Sequence, residues 1–305
     1  MSVQAEYVGY RVTEGCNAGQ ACRDRCFSRE GGTTPPDPSI DEVRLSLWTL
    51  REAGIRAVNL MGGEPTTRDD IVDIARFAHD IGLRVILTTN TIALTKERLD
   101  ELAPYLDWLS VSIEADNQRV NDGLRGRGQL AAVTQVIGWI GEENYPFHLK
   151  VNTQVTAQNM RHIDNIPHFF CGNVEIWKLL QWTPRGDAKK VMSIYAVSPE
   201  QYEETVRRER SLHPGLHIVE RPYPEIDPDT VILRPGGDLE VNAGPDYVVV
   251  GNILTEDARD VLAQAGMIYS RLNVANRMEL NESYPSWSQN IANRQPAVLY
   301  PGMLE

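Results

Sequence analysis

Long hydrophobic runs are missing from this 305-residue sequence: no stretch approaches the roughly eighteen uninterrupted apolar residues that a membrane-spanning helix requires. The opening MSVQAEYVGY also lacks a basic stretch followed by an apolar one, so no membrane association is expected and a cytoplasmic location is predicted. An excess of positive charge is missing too. With 30 Lys and Arg against 42 Asp and Glu, the formal net charge of −12 argues against nucleic acid as a partner, because a phosphate backbone is bound through a basic face. A local basic pocket for a small anion stays open. Cysteine is scarce, with four residues in the chain and three of them crowded together, which does not resemble a disulfide framework. Internal repeats and low-complexity tracts are absent. What remains is a globular composition, 42% hydrophobic and 24% charged, sufficient for one large domain or two modest ones.

From residue 6 onward, short β-rich runs alternate with helical patterns, the rhythm of parallel strands joined by crossover helices. Strands are predicted over 6–13, 57–63, 84–90, 108–114, 148–155 and 174–182. Between them, Ser39 with Glu42 reads as a capping box, followed by Ile40, Val43, Leu47 and Leu50 on one face and Gly54 as the stop. A second helical pattern starts at Pro65, carries Ile71, Ile74, Ala75 and Ala78 on one face, and stops at Gly82. After residue 215 the rhythm changes: LHIVE, VILRPGGDLEV with a turn at PGGD, and YVVVGN suggest a small antiparallel addition, then helices and an aromatic tail. The expected fold is α/β, a partial (βα)6 TIM-like barrel over 1–215 with a C-terminal extension over 216–305. In such a barrel the loops at the strand C-termini carry the chemistry.

Cys16, Cys22 and Cys26 follow the first predicted strand and so occupy one of those loops. Their C-x5-C-x3-C spacing contains no C-x2-C pair and no nearby histidine, which a structural zinc site would call for. A disulfide with a spare thiol is a second alternative. A third is an iron–sulfur cluster held by three thiolates, with one iron left for a non-protein ligand. Cys171 is the one candidate for a fourth ligand; its plain reading is a buried small residue.

The cysteine cluster, together with "GGEP" at 62–65 after the second strand, resembles the radical SAM enzymes, in which a [4Fe-4S] cluster binds and cleaves S-adenosylmethionine (SAM). Within them the blocks "AGIRAVNLMGGEP" (53–65), "VSIEADNQRVNDGLRGRG" (111–128), "LKVNTQV" (149–155) and "EIWKLLQW" (175–182) are similar to those of the viperin-like, nucleotide-modifying branch. The resemblance implies that Cys16, Cys22 and Cys26 hold the cluster and that Gly62, Gly63 and Glu64 receive the SAM ammonium. It further implies that Asn90 meets the ribose and that Ser112 and Arg127 meet the carboxylate. Lys150 and Lys178 fall at two of four positions that gather a triphosphate in that branch, and Asn152 belongs to the same substrate side. Ala57 and Ile176 replace the other two cations, and Met61 replaces a small polar residue. The implied substrate is therefore a smaller or less charged metabolite: a sugar, a nucleoside or a nucleotide-like molecule. Alternatively, Lys150 and Lys178 are interior lysines paired with Glu114 or Glu175.

The usual spacing in these enzymes is C-x3-C-x2-C with an aromatic residue before the last cysteine. Here both gaps are longer, Arg25 stands at the aromatic position, and Phe27 is the nearest aromatic substitute. An electron donor such as flavodoxin or ferredoxin is an implied partner. A candidate lid is the tail with Tyr284, Trp287 and Tyr300. Two rival functions are a peptide-modifying radical SAM enzyme, disfavoured because no cysteine follows Cys171, and a non-enzymatic metal-binding scaffold.

Overall fold

The computed structural model describes residues 7–26, 36–223, 231–242 and 247–271. Six strands lie within a residue or two of their expected places: β1 (Tyr7–Thr13), β2 (Ala57–Gly62), β3 (Arg84–Thr88), β4 (Trp108–Ser112), β5 (His148–Val155) and β6 (Val174–Gln181). They pair in sequence order, all parallel. The connections are α1 (Gln20–Asp24) and α2 (Ile40–Glu52), then α3 (Ile71–Asp80), α4 (Lys96–Leu102), α5 (Gln118–Arg125) and α6 (Gln129–Glu142).

The local signals act as anticipated. Ser39 and Glu42 form the capping box of α2, whose Val43, Leu47 and Leu50 are fully buried, and Gly54 follows it at φ +102°. In α3 the buried face is Ile71, Ile74, Ala75 and Ala78, and Gly82 at φ +87° turns the chain into β3. One boundary differs from expectation. Residues Pro65–Thr67 form a separate 3-10 turn, because Glu64 caps it and Arg68 leaves it in an extended conformation, held by Asp70 and the carbonyls of Val12 and Pro38.

The region after residue 215 also departs from expectation. After α7 (Met192–Tyr195) and α8 (Pro199–Leu212), the LHIVE run supplies β7 (Ile218–Arg221), which pairs parallel with β6. Because α8 provides a full crossover, β7 arrives in the same direction as β6, and residue 215 lies in the turn that joins α8 to this further parallel strand. The antiparallel addition begins later. β8 (Val231–Leu233) lies parallel beside β1, then turns through the PGGD sequence into β9 (Asp238–Asn242), which pairs with β10 (Tyr247–Asn252). The sheet order is β10-β9-β8-β1-β2-β3-β4-β5-β6-β7, an open, partial barrel. Helix α9 (Ala258–Arg271) buries Val261, Leu262 and Ala265 behind the added strands. Among the described residues no helix is long and apolar enough to cross a membrane. Phe27, Tyr284, Trp287 and Tyr300 lie outside the described residues.

Strand alternation sorts the side chains into two environments. Val8, Tyr10, Val58, Leu60, Val85, Leu87, Leu109, Val111, Leu149, Val151, Trp177 and Leu179 meet the helices in the main core. Each large apolar side chain removed from water there contributes about 1.5–3 kcal/mol. The other face points into the barrel. At its floor Ala57, Ile86, Trp108, Ile176 and Val219 form a separate apolar cluster against Tyr7. Above that floor the lining turns polar, with Thr88 Oγ1 donating to Asn59 Oδ1 at 2.8 Å and Asn152 Nδ2 donating to Ser110 Oγ at 2.8 Å.

Candidate functional site

The polar residues singled out in the sequence gather at the C-terminal ends of the parallel strands. Cys16 lies just beyond β1, Cys22 is in α1 and Cys26 follows it; all three are partly exposed. Burial pushes the Cys16 thiol up from its ordinary value, opposed by the Ala18 N–H and reinforced by Glu64, Cys22 and Cys26, so the three sulfurs share one electrostatic neighbourhood. Among the described residues no three His, Cys, Asp or Glu side chains converge on a single ion position. Thiolates that each take a different iron of one cluster need no such shared point.

Beside this loop lies the Gly-Gly-Glu turn. The Gly63 N–H donates to Thr13 O at 2.8 Å and the Glu64 N–H to Gly15 O at 2.7 Å, so β1 and β2 remain stitched beyond their regular ends. A methyl group on Gly63 would sit 1.9 Å from Gly15 O, and one on Gly62 would sit 2.1 Å from Thr13 O. Backbone approach at this closeness admits glycine alone. The Glu64 carboxylate is buried and accepts four hydrogen bonds. Its Oε1 takes the Thr66 N–H at 3.1 Å, the Thr66 hydroxyl at 2.7 Å and the Thr89 hydroxyl at 2.6 Å, while its Oε2 takes the Asn90 N–H at 2.6 Å. Desolvation nonetheless leaves its pKa above the ordinary carboxylate value. Glu64 is therefore a tie between the ends of β2 and β3.

Asn90 extends the tie to the cysteine loop, since its Nδ2 donates to Asn17 Oδ1 at 2.7 Å. Ser112, at the end of β4, is buried, and its carbonyl accepts from Gln129 Nε2 at 2.9 Å; the same amide reaches Asn90 O at 3.2 Å. Gln129, fully buried at the start of α6, thus braces two strand ends, and no sequence signal marked it. Arg127 is exposed on the loop between α5 and α6, while its neighbour Arg125 turns inward.

Arg25 and Arg125 are the main residues that sequence reasoning passed over. Both pair with Glu114, which is completely buried just past β4: Arg125 Nε lies 2.7 Å from Glu114 Oε1, and Arg25 Nη2 lies 3.5 Å from the same oxygen. Arg25 also donates to Leu124 O at 3.2 Å and Gln154 Oε1 at 2.7 Å, and its own carbonyl accepts from Trp182 Nε1 at 3.1 Å. Arg125 Nη1 reaches Cys22 Sγ at 3.8 Å. Backbone contact reinforces the docking, for the Gly19 N–H donates to Arg125 O at 3.0 Å and a methyl on Gly19 would strike Gly126 Cα at 2.7 Å.

Deeper in the barrel Lys150 and Lys178 are both buried, and Asn152 is the register partner of Lys178. Desolvation, then repulsion from Lys178 and Arg221, holds the Lys150 amine well below its usual value. Arg221 on β7 thus joins the two lysines in one basic interior, a residue hidden from the sequence reading by the misplacement of β7. Of the two carboxylates anticipated beside these lysines, Glu114 pairs with Arg25 and Arg125, and Glu175 contacts His148. Ala57 and Ile176 are part of the apolar floor. Cys171 is corrected: it is exposed, at φ +49°, in the turn entering β6 and so at the opposite end of the barrel from the cysteine loop.

Comparisons with known proteins agree with this architecture. The AdoMet-dependent heme synthase of Methanosarcina barkeri is 33% identical over 162 residues, covering 51% of this chain and 44% of that protein. The S-adenosylmethionine-dependent nucleotide dehydratase of Flammeovirga pacifica is 26% identical over 230 residues, covering 73% of this chain and 77% of its own. The chain spans less than half the length of several curated relatives that it matches, 44% and 34% in two further cases. Among solved structures, Streptococcus suis SuiB bound to S-adenosylmethionine superimposes with a TM-score of 0.68 at 17% identity, over 88% of this chain and 68% of that one, a likeness of fold. The family model described as the radical SAM superfamily matches residues 10–166, and with the strand-end cysteine loop in place the chain belongs to that superfamily, whose cofactors are a [4Fe-4S] cluster and SAM.

Proposed function

We propose that this protein is a radical SAM enzyme acting on a small, polar, anionic metabolite held in the barrel, a sugar, nucleoside or nucleotide-like molecule. The observation that carries the reading is vertical order. Three thiols of one loop and the Gly-Gly-Glu turn stand at the strand C-terminal ends, and Lys150, Lys178 and Arg221 gather in the interior beneath.

Cys16, Cys22 and Cys26 would hold the cluster. The residues fit it in chemistry, because Cys16 feels both other thiols electrostatically and a guanidinium faces Cys22. When bound, the cluster and SAM supply a 5′-deoxyadenosyl radical, using one electron from a donor of the flavodoxin or ferredoxin class. The N–H groups of Gly63 and Glu64 are already spent on Thr13 and Gly15, so the complementary ligand for this turn is a group that only donates, as the SAM ammonium does. Asn90 and Ser112 line the same mouth, and the exposed Arg127 can swing its fork onto a carboxylate. Lys150, Lys178 and Arg221 would hold the anionic end of the substrate, with Asn152 beside them. The apolar floor at Ala57 and Ile176 limits how much charge can be accommodated, which favours one phosphate or carboxylate over a triphosphate. The walls would hold the substrate in one orientation and exclude water from it.

The test is anaerobic reconstitution with iron and sulfide, followed by assay of 5′-deoxyadenosine with nucleoside monophosphates, nucleoside triphosphates, sugar phosphates and peptides as candidate substrates. Release that is accelerated by a monophosphate and vanishes in the Cys16→Ala, Cys22→Ala, Cys26→Ala variant is the expected result. Acceleration by peptides alone refutes the metabolite reading, and a wild type that makes no 5′-deoxyadenosine refutes the enzymatic one.

A further inference from the structure

The buried Arg25 and Glu114 and the half-buried Arg125 have no assigned part in cluster chemistry so far. We propose that Arg125, aimed by Glu114, is a positioning residue that raises the reduction potential of the cluster by donating a hydrogen bond to the Cys22 thiolate. This role presupposes that Cys16, Cys22 and Cys26 hold the cluster.

Three observations carry it. First, the aim of Arg125 is fixed from both ends: Nε is 2.7 Å from Glu114 Oε1, Nη1 is 3.8 Å from Cys22 Sγ, and the backbone carbonyl holds the Gly19 N–H at 3.0 Å. The contact with Glu114 is an ion pair by distance, and swinging the guanidinium away from Cys22 would separate those buried charges. Second, the loop is locked on its other side. Arg25, 2% exposed and placed between Cys22 and Cys26, is bound to Glu114, Gln154 and Leu124 O, so the long C-x5-C-x3-C segment is anchored to β4, β5 and α5. Glu114 is itself steadied by the Gln154 N–H at 2.7 Å. Third, among the described residues Arg25 and Arg125 share the single carboxylate of Glu114, so that carboxylate does not neutralise both guanidinium groups. An arginine side chain is charged at every accessible pH. Reduction adds one electron from the external donor and breaks no bond to sulfur. A fixed cation hydrogen-bonded to a ligating thiolate favours that extra negative charge, and hydrogen bonds to sulfur are among the recognised determinants of cluster potential.

The experiment is a redox titration of anaerobically reconstituted wild type, Arg125→Gln and Arg125→Lys, without SAM, reading the electron paramagnetic resonance signal of the reduced cluster. Arg125→Gln is expected to keep its iron and to lower the midpoint by about 59 mV, a tenfold loss in the reduced-to-oxidised ratio for a one-electron couple. Arg125→Lys keeps the charge but cannot span Glu114 and Cys22 together, so its midpoint falls between the two. A loaded Arg125→Gln with the wild-type midpoint overturns the role. Should Arg125→Gln take up no iron, Arg125→Lys decides, a lowered midpoint sustaining the role and an unchanged one overturning it. A wild type that binds no cluster overturns the cysteine assignment and this role with it, an outcome distinct from loaded variants that titrate alike.

Discussion

Replacing Glu114 by alanine tests how strongly the cysteine loop is tied to the barrel. The substitution leaves two guanidinium groups facing each other where one carboxylate had paired with both. Removing one partner of a buried ion pair costs about 3–5 kcal/mol, chiefly because the surviving charge stays desolvated. Arg25 has a side chain only 2% exposed and cannot regain water without leaving its site, whereas Arg125 keeps 18% exposure and can. The lower end of that range, about 3 kcal/mol, is therefore expected. For a chain of this size that corresponds to a Tm lower by roughly 5 °C. Urea unfolding followed by circular dichroism gives the free energy, and an unchanged slope shows that the native state is otherwise intact. A loss below about 1 kcal/mol would refute the reasoning, since it would place Glu114 among exposed, weak pairs. The combined Arg25→Met, Glu114→Leu, Arg125→Met replacement is expected to recover most of the loss, because it removes the charges together with their desolvation penalty.

Further outcomes are accessible with the same protein. Gly63→Ala places a methyl 1.9 Å from Gly15 O, so overpacking of about 1–3 kcal/mol or more is expected in denaturant melts, with iron uptake impaired because the cysteine loop is displaced. Wild-type iron content in that variant would contradict the close-approach account of the turn. Glu209, buried on α8, has its pKa raised to about 7 by desolvation and then by Asp164, against the pull of Arg208. A carboxyl raised in the folded state contributes stability that is full below its ordinary value of 4.5 and is lost as pH rises through about 7. Glu209→Gln should accordingly flatten the decline of stability across that window, and an unchanged pH profile would show that Glu209 does not titrate there. Titration calorimetry with inorganic phosphate should show binding that weakens as pH rises through the lowered Lys150 pKa, because the anion needs the protonated amine. Loss of that pH dependence in Lys150→Met is expected, and its persistence would move the anion site elsewhere.

How much was legible in the sequence follows from the range of the interactions involved. Strands β1 to β6, the capping box at Ser39 and Glu42, and the stops at Gly54 and Gly82 depend on neighbours within a few residues, so their patterns are written locally. The cysteine loop and the Gly-Gly-Glu turn were readable for the same reason, each being a short run directly after a β-rich segment. The direction of β7 was not, because LHIVE pairs parallel only once α8 is seen to carry the chain across, and periodicity within five residues does not encode that. The supports of the site were hidden still further. Arg25 meets Gln154 across 129 positions and Arg125 meets Cys22 across 103. Lys150 is close to Lys178 and Arg221 only because β5, β6 and β7 lie side by side. An arginine in an RGRG run reads as solvent-exposed, and Arg127 is; that its neighbour Arg125 is drawn inward is a consequence of the burial of Glu114. Local sequence determined which elements form and which residues stand at their ends. The tertiary structure alone decided which charges meet in the interior, since the cost of burying a charge depends on partners brought together only by folding.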